Sequence, residues 1–589
     1  MSTLRLLRRV VSYRPVLLGS IVLMRIAIFA VATQATGLIM KRFFDVLGGT
    51  GNAGFGPYAL CGLLVGVAAA RSAVILLDIG VSWTWSYVAA SLIRRNLFER
   101  ILSKPAARAL PESTGEAVNR FRDDVDQVIN YLGSLLFLGG LFVFGVAAVV
   151  TMLRIHVLIT LVVFLPLVLI VSLANWGMKR LEDFRKANRE TTGAVTGFLG
   201  ELFGSIQAVK TGGAESRVLA RFGELNERRR AAALRDRLLN LTFESFFWNI
   251  VNVGTGLILL MSAGVLRVGT FTVGDFTLFV YYHGWVIGIV ANVGMAMAGF
   301  KQTGVAFDRL TSLLQGEPAG VLVEHHPIRI RGEEPQLPRV ARAEADRLEE
   351  LTVRGLAYRY PDTDRGISDI DLTIRRGEFV VITGRIGSGK SCLLKTLLGL
   401  LPPDAGEVQW NATLVEDPAS FFVPPRCAYT SQVPRLFSES LRDNILLGIA
   451  AEPPEIDAAL RSAVLEEDVP HLEHGLDTMV GTRGVKLSGG QVQRAATARM
   501  FVRDPELLVL DDLSSALDVD TERTLWERLG TGAAAEKACL VVSHRRAAWK
   551  RADRIIVLVS GRIEDQGTLD ELLARSTELR ALARVEGSS

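Results

Sequence analysis

Hydrophobic positions crowd into the first half of this chain. Apolar runs occupy about Val16–Met40, Pro57–Ser91, Tyr131–Met152, Ile155–Trp176, Phe243–Leu266 and Phe271–Phe300. Each is long enough to cross ~30 Å of hydrocarbon at about 1.5 Å per residue. Beyond about residue 305 no comparable run appears, and apolar residues come in short strand-like groups such as Phe379–Ile382, Leu507–Leu510 and Leu540–Ser543. The pattern predicts a multidomain membrane protein. An all-α domain of about six membrane helices covers residues 1–310, a linker dotted with Pro318, Pro327, Pro335 and Pro338 covers 311–349, and a soluble α/β domain covers 350–589.

Composition agrees with that division. The chain has 589 residues, 49% of them hydrophobic, and a net charge of +4, with a mean hydropathy of +0.29, more apolar than a soluble chain of this size. Positive charge orients the helices. Arg5, Arg8, Arg9 and Arg14 precede the first run, Arg94, Arg95, Arg100, Lys104 and Arg108 follow the second, and Lys179, Arg180, Arg185, Lys186, Arg189 and Arg228–Arg230 follow the fourth. The turns near Gly48–Gly56 and Val268–Thr270 carry almost none. By the positive-inside rule this predicts a multi-pass cell-membrane protein with the soluble domain and both termini cytoplasmic. These loops account for the basic balance, so it is no sign of a nucleic-acid partner. The first run is too long and too near the start for a cleaved signal peptide. Cys61, Cys392, Cys427 and Cys539 lack metal-type spacing and read as unpaired thiols in a reducing compartment, Cys392 being placed for alkylation.

The soluble half carries the chemistry. Gly384-Arg385-Ile386-Gly387-Ser388-Gly389-Lys390-Ser391 fits G-x-x-x-x-G-K-[ST], follows the strand-like Phe379–Ile382 and precedes the helix-like Cys392–Lys395. In such a loop the glycines let backbone N–H groups reach phosphates, the lysine reaches the β- and γ-phosphates, and the last hydroxyl ligates Mg²⁺. Downstream come Gln432 after Tyr429-Thr430-Ser431, Leu487-Ser488-Gly489-Gly490-Gln491, the run Leu507–Leu510 ending in Asp511, Ser514-Ser515-Ala516-Leu517-Asp518, and His544.

In this order and spacing the residues resemble the nucleotide-binding domain of ATP-binding cassette (ABC) transporters over roughly residues 350–580. With the membrane domain in front, the chain resembles a half-transporter of the exporter type, a six-helix transmembrane domain fused to one P-loop ATPase domain. The resemblance implies ATP and Mg²⁺ as cofactors. It implies that Tyr360, Gly384, Gly387, Ser388, Gly389, Lys390, Ser391 and Cys392 hold the nucleotide, with Tyr358 close enough to compete with Tyr360 for adenine. Ser391, Gln432 and Asp511 would hold the metal, and Asp512, His544 and Gln432 would carry hydrolysis. Ser488, Gly489, Gly490 and Gln491 would cap the γ-phosphate held by a second chain, so the protein must dimerise. The connections with Glu112–Phe121 and Gly200–Lys210 resemble the places where such exporters carry short transverse coupling helices.

Two residues depart from the family pattern. Asp512 stands where glutamate usually polarises the attacking water, and Thr482 stands where exporters commonly carry glutamate. An aspartate is one methylene shorter, and a misplacement of about 1 Å can cost about a hundredfold in rate. A slow Walker site beside an intact signature favours a heterodimer with a second half-transporter over a slow homodimer, although retention of His544 argues the other way. The cargo is not legible. Arg25, Arg71, Asp78, Glu244, Asn249, Asn252, Asp275 and His283 lie in or beside apolar runs, where polar groups line cavities or pair between helices. Arg71 and Asp78, seven apart, predict one cavity-lining stripe. An ATP-driven exporter or lipid flippase is the leading class, with an importer in an exporter-like frame and an ATP-gated regulator or channel as alternatives.

Overall fold

The structure is a computed structural model that describes residues 2–50, 54–104, 114–268, 270–330, 342–361, 363–481, 485, 487–513, 517–529 and 535–586. It divides into two compact units, Met1–Phe98 with Glu112–Ile330 and Glu99–Pro111 with Arg331–Ser589.

The first unit is helical. Its long helices cover the six apolar runs, as Pro15–Leu47, Pro57–Leu102, Thr114–Ile155, Val157–Gly204, Glu215–Val268 and Val273–Ser312. Among the described residues, four of them carry a window long and apolar enough to cross a membrane: Pro15–Leu47, Pro57–Leu102, the third from Gly115, and Val273–Ser312. The first is interrupted by a π-turn at Ile26–Val31, immediately after Arg25. His156 ends one helix in an extended conformation and caps the next, its Nδ1 accepting from Ile159 N at 3.3 Å. Thr272 opens the last helix through a reciprocal cap with Asp275. Phe144, Ile258, Phe271, Phe279 and Tyr282 form the packed interior. Gly254 lets two helices meet there, since a Cβ at that position would lie 1.9 Å from the His283 ring.

The fourth and fifth helices contain 48 and 54 residues. At 1.5 Å per residue they are about 72 and 81 Å long, far more than a bilayer core requires, as the unbroken helical pattern predicts. Between them the backbone breaks at Ser205 and a short helix, Ile206–Thr211, follows. Phe203 beside it is 69% exposed. The other expected coupling segment falls partly outside the described residues. Its described part, Thr114–Asn119, is helical and runs through a second π-turn, Arg120–Asp124, into the third membrane helix.

The stretch read as a linker is packed at both ends. Leu313, Leu314 and Val321–Val323 are buried, and Asn96 Nδ2 donates to Leu322 O at 3.1 Å and Glu324 O at 2.9 Å. Tyr13 OH donates to His326 O at 2.8 Å and accepts from Ile328 N at 3.2 Å. In the second unit Leu348 is fully buried, and Arg426 pairs with Asp346 at 2.7 Å. Scattered prolines masked these apolar anchors.

The second unit holds two sheets. Strands β1 (Glu350–Arg359), β2 (Gly366–Arg375), β4 (Ala405–Trp410) and β5 (Thr413–Leu414) form an antiparallel sheet in the order β2-β1-β4-β5. Strands β3 (Phe379–Thr383), β6 (Cys427–Thr430), β7 (Leu507–Asp511), β8 (Ala538–Val542), β9 (Arg554–Val559) and β10 (Arg562–Gly567) form the other, ordered β10-β9-β3-β8-β7-β6. From β9 to β6 its pairs are parallel. Strands β3, β7 and β8 are buried at every residue, as continuous apolar strands covered on both faces must be. A separate apolar cluster, with Leu441, Ile445, Leu460, Ala495 and Ala498, joins three helices into a side lobe.

Candidate nucleotide site

The site is built where four parallel strands end together. Register places Ile382 of β3 opposite Val542 of β8, Asp511 of β7 opposite the same Val542, and Thr430 of β6 opposite Leu510. The segments that leave these ends carry Gly384–Ser391, Ser543-His544, Asp511-Asp512 and Ser431-Gln432. In an open parallel sheet this carboxyl edge is where ligands bind.

The phosphate loop needs its glycines. Gly384, Gly387 and Gly389 have φ of 147°, 85° and 104°, a region closed to most side chains. A Cβ on Gly384 would also lie 2.2 Å from Leu558 O. The helix Lys390–Leu397 starts immediately after, so its free amides face the loop. Lys390 Nζ donates to Gly384 O and Arg385 O, both at 2.8 Å. Burial pushes its pKa down, against the pull of Asp512 and Asp511. A phosphate would supply the counter-charge that this buried ammonium lacks. Ser388 Oγ is buried without a hydrogen-bond partner in the protein, which suits a loop that wraps an acceptor-rich group.

Carboxylate and hydroxyl converge next to it. Ser391 Oγ donates to Asp511 Oδ1 at 2.9 Å, and Tyr429 OH donates to Asp511 Oδ2 at 3.3 Å. Burial raises the Asp511 pKa while those two hydrogen bonds lower it. A divalent cation here would be held by Ser391 and Asp511 and would relieve the buried charge, so the donor set fits Mg²⁺. Gln432 Nε2 donates to Asp512 Oδ2 at 3.1 Å. Asp512 adopts a left-handed backbone, φ 52°, with its amide bound to Val542 O at 3.0 Å. His544 is half-buried beside them, its pKa lowered by burial and by Lys390 and raised by Asp512.

Tyr360 is 39% exposed at the end of β1, whereas Tyr358 is 5% exposed and packed in the core. Of these two rings, Tyr360 is the one with surface open for stacking. The Cys392 side chain belongs to that core too, and burial raises its pKa. That corrects the expectation of an alkylation-sensitive thiol, because a buried, protonated thiol is a poor nucleophile.

Ser488 caps the helix Gly489–Phe501, its Oγ accepting from Gln491 N at 3.3 Å while Gln491 Oε1 accepts from Ser488 N at 2.9 Å. Gln491 Nε2 also donates to Asp468 Oδ1 at 2.9 Å, and Arg494 pairs with Asp468 at 2.7 Å. Gln491 thus holds the loop's shape, with Gly489 and Gly490 at the helix N-terminus. This helix joins the side lobe through Ala495 and Ala498 and meets the strand edge through Gln493, whose Nε2 donates to Gln432 O at 3.4 Å. Sequence reasoning missed Tyr429 as a partner of Asp511, and Asp468 and Arg494 as supports of Gln491. Nothing in their spacing marks them. Thr482 and Ser514–Ala516 lie outside the described residues.

In the first unit the polar residues separate. Arg25 pairs with Asp78 at 2.9 Å. Arg71 lies 5.7 Å from the Trp285 ring instead, so the predicted Arg71–Asp78 stripe does not form. Asp275 pairs with Lys41 at 2.6 Å, His283 is fully buried, and Glu244, Asn249 and Asn252 are exposed.

Comparison with known proteins agrees with this geometry. The ABC transporter transmembrane region family matches residues 20–290 and the ABC transporter family matches residues 367–515. An ATP-dependent lipid A-core flippase of Chromohalobacter salexigens is 28% identical over 573 residues, covering 95% of this chain and 94% of that protein. A protein of the same name from Bordetella avium is 28% identical over 566 residues, covering 92% and 90%. The structure of a bacterial Atm1-family ABC exporter with ATP bound superposes with a TM-score of 0.71 at 22% identity, covering 99% of this chain and 98% of that one. With a helical membrane domain in front of an α/β ATPase domain, the chain belongs to the ABC transporters, as a half-transporter of the exporter type that couples ATP hydrolysis to transport.

Proposed function

We propose that this chain is the slow-site half of a two-chain exporter or lipid flippase. Its own Walker site binds ATP–Mg²⁺ with little turnover, and its signature loop completes a faster site on a different half-transporter. The observation that carries this reading is Asp512, one methylene shorter than the family's usual glutamate and engaged by Gln432 at 3.1 Å. A carboxylate withdrawn by about 1 Å loses much of its hold on an attacking water.

In this reading Tyr360 stacks on adenine, while Gly384, Gly387, Ser388, Gly389, Lys390 and the backbone of Cys392 hold phosphate. Ser391, Asp511 and Gln432 would hold Mg²⁺, which would draw charge from the phosphates. Gln432, His544 and Asp512 orient water. Ser488, Gly489 and Gly490 close over the partner's γ-phosphate, supported by the helix N-terminus. ATP then favours the closed dimer and hydrolysis releases it. The arginines and lysines of the long connections support a cytoplasmic ATP domain. The relatives' names as lipid A-core flippases support an amphiphilic cargo.

The test is purification of the tagged full-length chain from its own membrane, followed by subunit identification and a count of ATP hydrolysed per assembly in a single turnover. A different partner chain and one hydrolysed ATP are expected. A dimer of this chain alone that hydrolyses two sinks the proposal. Flux into vesicles of known sidedness separates export from import, and nucleotide-dependent conductance without stoichiometric hydrolysis marks a gated channel.

A further inference from the structure

A half-open cavity of about 930 Å³ lies in the membrane domain, walled by the first, second, third and sixth long helices. Along the second helix it reaches from Asp78 to Arg94, a rise of about 24 Å. Its charged side chains come as closed pairs. Arg25 holds Asp78 through Nε–Oδ1 at 3.1 Å and Nη2–Oδ2 at 2.9 Å, and Ser82 Oγ donates to the same carboxylate at 3.1 Å. Arg94 Nη2 meets Asp126 Oδ1 at 2.6 Å. Arg71 is not in the wall.

What remains for a ligand is uncharged. Gln127, Asn130 and Asn292 offer amides, and Ser134 offers a hydroxyl that accepts, its own proton going to Asn130 O at 2.9 Å. Trp83 and Tyr87, also in the wall, stack with ring centroids 5.6 Å apart and are 57% and 64% exposed. Such faces pack against hydrocarbon and sugar-like C–H surfaces.

We propose that this cavity selects net-neutral amphiphiles, with a hydroxyl- or amide-bearing head on an apolar tail, and that the Arg25–Asp78 pair rejects anionic ones. The proposal rests on the transport reading and names its cargo class. An anion that takes Arg25 must first displace Asp78, which is 5% exposed. It would then leave that carboxylate unpaired and beside a like charge, a double penalty. A neutral head leaves the pair closed and meets only the amides and rings.

The test uses the full-length, nucleotide-free transporter in nanodiscs, with tryptophan fluorescence titrated by dodecyl maltoside and by lauroyl lysophosphatidylglycerol. The native protein is expected to bind the neutral probe about tenfold tighter or better. Asp78→Asn leaves the Arg25 charge unmasked and shifts the preference toward the anionic probe by a similar factor. The double change Arg25→Gln with Asp78→Asn restores the neutral preference. Equal or tighter anionic binding by the native protein overturns the proposal, as does an unchanged preference in an Asp78→Asn protein that still binds ATP. Should Asp78→Asn not fold, Tyr87→Ala, which keeps the wall tryptophans as reporters, decides: weaker neutral binding supports the assignment, and undiminished binding sinks it. Neutral binding without ATP-driven flux upholds the cavity and fails the transport reading. Flux of the anionic probe upholds transport and overturns the cavity.

Discussion

The ATP site and the membrane cavity of this chain are assembled by opposite means. Each part of the ATP site is a contiguous stretch of a few residues at the end of one strand, and the sheet's register brings Gly384–Ser391, Asp511, His544 and Gln432 to one edge. The cavity takes single residues from four helices, with Arg25 and Asp78 meeting across 53 positions of chain. Phosphate recognition depends on backbone amides, and backbone geometry demands particular residues at fixed spacing. A cargo cavity depends on shape and charge balance, which packing sets and many sequences satisfy.

The sharpest break between the two regions is at Lys390. Lys390→Ala removes a charged contact worth about 1.5–3 kcal/mol, so ATP affinity at this chain's site is expected to fall by about 10- to 100-fold. The paired neutral change in the cavity, Arg25→Gln with Asp78→Asn, is expected to leave that affinity within about twofold, since ordering of the strand edge needs nothing from it. Titration of the full-length protein with a fluorescent ATP analogue checks both. A cavity change that costs as much ATP affinity as Lys390→Ala defeats the division.

A second contrast lies within the ATP domain. If the chain's own site is slow and its signature serves a faster one, Ser488→Ala is expected to lower steady-state ATPase about tenfold, including a helix cap worth about 1 kcal/mol. Asp512→Asn is then expected to cost less than about twofold, and Asp512→Glu to raise turnover by restoring reach. In a homodimer Asp512→Asn falls on every working site. Severe loss from that change removes the case for a different partner chain.

The same contrast governs what was legible in the sequence. Six apolar runs and the phosphate loop were readable because length and spacing alone define them. Tyr360 and Tyr358 were not separable, since both fit the strand and only the core shows that Tyr358 is buried. Arg71 and Asp78 share a spacing, yet Trp285 draws one aside and Arg25 the other. Gln491 belongs to a readable motif, but its structural partner Asp468 stands in a segment with no motif of its own. In the stretch read as a linker the prolines are visible in the sequence, while the burial of Val321–Val323 depends on neighbours far along the chain.

The two regions must also communicate. Phe203 is exposed beside the short helix Ile206–Thr211, between the two longest helices. Changing Phe203 or Glu201 to alanine is expected to reduce cargo stimulation of ATPase a few-fold while basal turnover stays within about twofold, as for other surface changes. Parallel loss of both rates would mean misfolding rather than broken transmission, and would return the segment to an ordinary surface turn.

The smallest expected effect concerns His544. Burial and the neighbouring Lys390 hold its pKa below the usual 6.5, and Asp512 opposes them only in part. The imidazole is therefore neutral at pH 7, with one nitrogen free to accept. The unfolded chain takes up this proton before the folded one does. Its contribution to stability is thus present above pH 6.5 and is lost as pH falls from there through the lower folded pKa. In the full-length protein with isotope-labelled histidine, the ring signal that disappears in His544→Gln is expected to titrate below 6.5. Lys390→Ala, by removing the nearby cation, is expected to move it upward. A signal that titrates at or above 6.5 in the native protein, or that Lys390→Ala leaves in place, would separate His544 from the phosphate loop and dissolve the strand-edge cluster that the comparison relies on.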